Sequence, residues 1–195
     1  GTGVFGNAAV NTGSSNSYLA LTTAGAAQRG IFYKNFGGAP SFDDFEIRFN
    51  MRVGASGADY FWVFANKTAI NHWYNSESGH SGVIQHYSPN NWFTKLLNGS
   101  TELVTESNKH SYTVDNDTYQ TYFMRRIGNV VKIGSLPSSG HTVTWETKNT
   151  DTSTHPTGQY FGIGAYTGGA YTHHVSTYIE MRYWGSSNDI TDETD

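Results

Sequence analysis

No cysteine occurs among the 195 residues. That excludes disulfide frameworks and thiolate metal sites. Charge is scarce too, at 14% Asp, Glu, Lys and Arg with a formal net charge of −4. There is no basic run, so the chain lacks the means to neutralise a phosphate backbone, and no nucleic-acid partner is expected. The one adjacent basic pair, Arg125-Arg126, would be split across two faces by a strand. No apolar run approaches the roughly 18 residues of a spanning helix, so no membrane insertion is expected. No helical apolar period lasts beyond two turns, and there are too few charges to lace exposed helices with ion pairs.

Aromatics are abundant, at 15% with 13 Tyr, and 22 Gly accompany many Thr, Ser and Asn. This mixture favours strands and turns. The length suits one all-β domain, taken as residues 1–185, followed by a polar acidic tail at 186–195. Residues 1–17 are small and polar, with little to pack. Strands are expected at Tyr18–Thr22 and Gly30–Lys34. Phe45 to Val53 alternates strictly, with Phe45, Ile47, Phe49, Met51 and Val53 on one face and Glu46, Arg48, Asn50 and Arg52 on the other. Asp59–Ala65 is almost continuously apolar, as suits a strand buried on both faces. Asn98-Gly99 and Gly128-Asn129 mark two tight hairpins. Tyr160–Tyr166 and Tyr178–Trp184 read as strands with a Gly-rich loop between them. About a dozen short strands make a two-sheet antiparallel sandwich or jelly roll. The repeated Glu-x-Arg of 46–48 and 180–182 predicts that these two strands are antiparallel neighbours, with Glu46 opposite Arg182 and Arg48 opposite Glu180. Three sequons, at Asn66, Asn98 and Asn116, are candidate glycosylation sites.

Several segments in order resemble the concanavalin A-like jelly rolls, especially L-type lectins and laminin G-like modules. Tyr18–Thr22 and Gln28–Tyr33 resemble an L-type lectin's opening, and Ser41–Phe49 its next strand. Gly57–Trp62 resembles the Ala-Asp-Gly segment that presents a sugar-binding Asp, here Asp59. Tyr160–Gly169 with His174-Val175 resembles the closing strand and last binding loop. Two positions depart from the pattern. Residue 60 is Tyr where the family has Gly, and Ile84-Gln85-His86-Tyr87 lacks the family's acidic metal ligands. Calcium therefore stays open as a cofactor but is not expected in its usual form. Other metal ligands are unknown. A second resemblance, to alginate-lyase-like polysaccharide lyases, rests on Tyr160-Phe161-x-x-Gly164-x-Tyr166, Gln85-His86 and Glu46-x-Arg48. A third, Val131–Gly134 to Trp145, is to invertebrate farnesoic-acid-methyltransferase-like β modules.

The candidate ligand-binding residues are Asp59, Trp73, Tyr74, Asn90, Tyr166, Thr167, Gly168, Gly169, Tyr171 and His174. A carboxylate at 59 accepts two sugar hydroxyls, or else caps its turn. Tyr and Trp rings stack on sugar C–H faces, and adjacent glycines bring backbone donors close. Trp73 and Tyr74 serve as stacking platforms or as covers over one edge of the core. Catalysis has a thinner basis. The paired carboxylates of a glycosidase are absent from the expected strand, and no nucleophile elbow occurs. Lyase chemistry would draw on His86, Tyr166, Arg48 and Arg52. The reading is a non-catalytic glycan- or polysaccharide-binding module of an extracellular or surface-exposed protein, multivalent through oligomers or a larger parent. A structural sandwich of a virion, adhesin or cell surface is the alternative, and an alginate-type lyase a lesser one.

Overall fold

The computed structural model describes residues 2–6, 8–11, 18–21, 28–37, 44–52, 59–71, 73–88, 91–104, 109–110, 120–136, 144–150, 158–167 and 173–184. Among the described residues there is no helix. One sheet runs β1 (Thr2–Gly6), β4 (Gln28–Asn35), β14 (Tyr160–Thr167), β6 (Asp59–Lys67), β7 (His80–Ser88), β8 (Asn91–Asn98) and β10 (Lys109–His110), and β9 (Thr101–Val104) also pairs with β8. The second runs β13 (Thr144–Thr150), β12 (Val130–Leu136), β11 (Gln120–Ile127), β5 (Asp44–Arg52), β15 (His173–Trp184), β3 (Tyr18–Leu21) and β2 (Ala8–Asn11). Every pairing is antiparallel. The expected all-β, two-sheet sandwich is thus the observed one.

Alternation of side chains along each strand builds the core. Phe45, Ile47, Phe49 and Met51 of β5 are buried against Phe61, Val63 and Ala65 of β6 and Phe161, Ile163 and Ala165 of β14. Rings meet edge to face across the gap, Phe61 with Tyr122 at 5.0 Å and Phe45 with Phe161 at 6.0 Å. Each buried Phe contributes roughly 1.5–3 kcal/mol relative to exposure. The continuous apolar run of β6 has a direct cause. Its other face carries Trp62 and Phe64, which join Ile31, Val83 and Leu97 in a second cluster on the far side of the first sheet.

The predicted neighbourhood of β5 and β15 holds, with Glu46 opposite Arg182 and Arg48 opposite Glu180. The observed ion pairs differ from the expected ones. Arg125 lies opposite Glu46 on the other side, in β11. It donates from Nε and Nη2 to Glu46 Oε2 at 2.7 Å each. Arg182 Nε donates to Glu180 Oε1 of its own strand at 2.7 Å, and Arg48 lies 5.6 Å from the Phe123 ring centroid. The Arg125-Arg126 pair is split as expected. Arg126 points inward and is fully buried, with its Nε donating to Gly128 O at 2.9 Å.

The small, polar N-terminal segment contributes two strands, β1 paired with β4 and β2 with β3. The two strands expected on either side of the Gly-rich loop are present, at 160–167 and 173–184, and belong to different sheets. One expectation needs correction. Asn66 is buried, at 1% exposure, so its sequon cannot take a bulky glycan in the folded chain. Asn116 and the expected tail at 186–195 lie outside the described residues.

Candidate functional site

The register of the first sheet lines up four side chains across four strands. Gln85 of β7 is opposite Tyr60 of β6, Tyr60 is opposite Tyr166 of β14, and Tyr166 is opposite Arg29 of β4. With strands about 4.8 Å apart, this row spans about 15 Å on the outward face. The ring centroids of Tyr60 and Tyr166 are 5.9 Å apart.

The segment 68–79 brings two more rings onto this row. Trp73 is the hub, with centroids 5.1 Å from Tyr166, 6.0 Å from Tyr60 and 5.7 Å from Tyr74. Arg29 sits on the same ring, its Cζ 4.1 Å from the Trp73 centroid and 5.6 Å from that of Tyr166. A cation over an aromatic face contributes roughly 0.5–2 kcal/mol, more as water is excluded. Tyr60, Trp73, Tyr74 and Tyr166 are all half-buried, so the rings rest on the second cluster and still present part of their surface. Trp62 below them is fully buried and lies over Gly164, where any Cβ would overlap its indole.

The buried Lys67 anchors the segment. Its Nζ donates to the carbonyls of Tyr74 and Glu77, both at 2.8 Å, and Ser81 Oγ donates to Tyr74 O at 2.7 Å. Burial pulls the Lys67 ammonium down from 10.5 to about 8, opposed by the nearby Glu77 carboxylate. Gly79 closes the segment at φ 124°, where a Cβ would meet Asn66 O at 2.6 Å. Beneath Trp73 and Tyr74 a crevice lined by Trp62, Phe64, Lys67 and Ile70 encloses about 10 Å³, room for about one water. A sugar does not enter it, so the usable surface is the open aromatic row.

Of the candidates named from sequence, Trp73, Tyr74 and Tyr166 are brought together. Asp59 begins β6 next to Tyr60, its backbone opposite His86, and Thr167 ends β14 next to Tyr166. The side chains of Asp59 and Thr167 lie outside the described residues, as do Asn90, Gly168, Gly169 and Tyr171 entirely. His174, expected in the loop, is instead the second residue of β15 in the opposite sheet, with its backbone facing Ala20 and Arg52. The lyase constellation is divided. Arg48 and Arg52 belong to β5 of the second sheet, while His86 and Tyr166 belong to the first. Arg29, Tyr60 and Gln85 were missed. Two signals pointed to Tyr60, its substitution for the family's Gly and its period-2 relation to Trp62. None pointed to Arg29, because its contacts come from 44 and 137 residues away.

Among the described residues no cluster of three His, Cys, Asp or Glu forms a metal site. Among the described side chains of β7 the outward oxygens are the Ser81 hydroxyl, which donates to Tyr74 O, and the Gln85 amide. These two neutral groups by themselves do not make a calcium site, which takes several oxygens including carboxylates.

No family model and no curated protein matches the chain. Solved structures do. The VIP36 exoplasmic/lumenal domain, in its Ca2+/Man3GlcNAc-bound form, superposes with a TM-score of 0.72 at 15% identity, covering 97% of this chain and 89% of that one. The fold is that of the L-type lectins. A legume lectin-like domain from Entamoeba histolytica gives a TM-score of 0.66 at 16% identity, covering 94% of this chain and 90% of that one. The Emp47p carbohydrate recognition domain gives 0.63 at 16%, covering 94% and 88%. VIP36 is found in both Ca2+-bound and metal-free forms. The L-type lectin fold thus extends over nearly the whole chain, at 15–16% sequence identity.

Proposed function

We propose that this chain is a non-catalytic carbohydrate-binding module that takes a glycan across the aromatic row of its first sheet. The carrying observation is the half-buried cluster of Tyr60, Trp73 and Tyr166 with Arg29 against it. Aromatic faces pack on sugar C–H surfaces, while neighbouring polar groups fix the hydroxyls. Support comes from the fold neighbours, one of which is VIP36 with Man3GlcNAc bound. Asp59, Thr167, Gly168, Gly169, Tyr171 and Asn90 would contribute further contacts to the glycan. The neighbours' lumenal and exoplasmic domains favour the secretory or outer side of a membrane. Single-site affinity for a sugar is weak, so oligomers or tandem copies would supply avidity.

A broad glycan array, with and without EDTA, tests the proposal. Binding is expected, retained in EDTA and lost in Trp73→Ala with the far-ultraviolet circular dichroism unchanged. Loss with EDTA would mean that calcium is held by residues other than those considered above. No binding to any glycan would overturn the proposal and favour a sandwich used for assembly.

A further inference from the structure

The geometry points to an acidic glycan, with a carboxylate or sulfate held by Arg29, as the class of ligand this row takes. This rests on the glycan-binding proposal and narrows it.

Arg29 is half-buried and lies over the Trp73 ring, its Cζ 4.1 Å from that centroid and 5.6 Å from the Tyr166 centroid. Among the described residues its Nε is buried without a hydrogen-bond partner. A guanidinium only donates, and it cannot shed its charge to escape a dry setting. Aromatic faces hold the cation but fill none of its N–H positions. An anionic oxygen fills them with charge-assisted hydrogen bonds roughly twice as strong as neutral ones. At the other end of the row Gln85 is buried at 3% exposure, and its Oε1 has no partner either. An amide there offers both a donor and an acceptor, which suits sugar hydroxyls and does not repel an anion. The row therefore has a cationic end at Arg29, a neutral polar end at Gln85 and two tyrosines between them. At about 15 Å it exceeds one sugar ring, so the ligand it fits is an oligosaccharide with its acid group at the β4 side.

Among the described residues, Arg125 is bound to Glu46 and Arg182 to Glu180 on the second sheet, and Lys95 lies 3.5 Å from Glu102. Lys67 is spent on two carbonyls of the 68–79 segment.

The test uses matched pairs on one array: uronate oligomers beside their carboxyl-reduced counterparts, sialylated glycans beside asialo ones, and sulfated glycans beside desulfated ones. Hits are then titrated by calorimetry. The acidic member of a pair should bind about tenfold tighter or more. That preference should shrink from about 0.05 M to about 0.5 M salt as the charges are screened. Arg29→Gln should abolish the preference, and Arg29→Lys should keep part of it, since the charge remains and the planar fork is lost. The wild-type comparison stands even if a variant folds poorly. Which pairs respond distinguishes carboxylate from sulfate. Equal binding of acidic and neutral members, or binding of neutral members alone, overturns the acidic assignment and leaves glycan binding intact. No binding to any member overturns both.

Discussion

On the outward face of the second sheet, Glu46 and Arg125 meet at 2.7 Å, and Glu180 and Arg182 do the same. On the outward face of the first, Arg29 lies against two aromatic rings with its Nε unpaired, and Gln85 Oε1 is unpaired as well. Both faces come from the same pleat. On one, charges cancel within and between strands. On the other, aromatic bulk is gathered under a twelve-residue segment and hydrogen-bonding capacity is left open. Proteins seldom leave buried polar atoms unmatched, and the proposed glycan would supply partners to those on the second.

The comparison breaks most visibly at Trp62, which supports the aromatic row from below. Trp62→Ala should cost about 3–5 kcal/mol in urea unfolding, because it opens a cavity under the row. It should also weaken glycan binding beyond what the lost stability explains. A variant that binds normally would mean the row does not need this floor.

The Lys67 anchor sharpens the comparison through pH. Its folded pKa is about 8, below the ordinary value near 10.4 of an unfolded chain. The unfolded chain therefore binds more protons between those values, and stability rises with pH across that window. Below about pH 8 the whole penalty of burying the ammonium is present. The rise amounts to about 3 kcal/mol, read as wild type minus Lys67→Met so that other titrating groups cancel. A flat difference between pH 8 and 10.5 would show that the ammonium is better solvated than its burial implies.

On the charged face, Glu46→Ala should cost about 2 kcal/mol, because it strands the largely buried Arg125 guanidinium, and should leave glycan binding untouched. Smallest of all, Arg182→Ala should change stability by less than about 0.5 kcal/mol. Arg182 is 57% exposed and water screens its pair. A larger effect there would mean that the second face is as dependent on single residues as the first.

Reading the residues in order goes far for the sandwich and less far for its site. The alternation of Phe45 through Met51 and the two hairpins at Asn98-Gly99 and Gly128-Asn129 are local signals, and each appears where expected. Even the long-range pairing of β5 with β15 was legible, because two Glu-x-Arg motifs match in only one antiparallel register. The ion pairs were not, since Arg125 reaches Glu46 from a strand that carries no such motif. Trp73, Tyr74 and Tyr166 stood out by residue type, but their shared position did not, and His174 was assigned to a loop although it belongs to a strand.

The sequence by itself determined the class of fold: a cysteine-free, aromatic- and glycine-rich chain with period-2 apolar order forms a two-sheet sandwich, because strand periodicity and turn chemistry are local properties. Only the tertiary structure decided which face carries the candidate site. The row of Arg29, Tyr166, Tyr60 and Gln85 is assembled from four strands far apart in the chain. Its members become neighbours through backbone register between strands, which no local preference encodes.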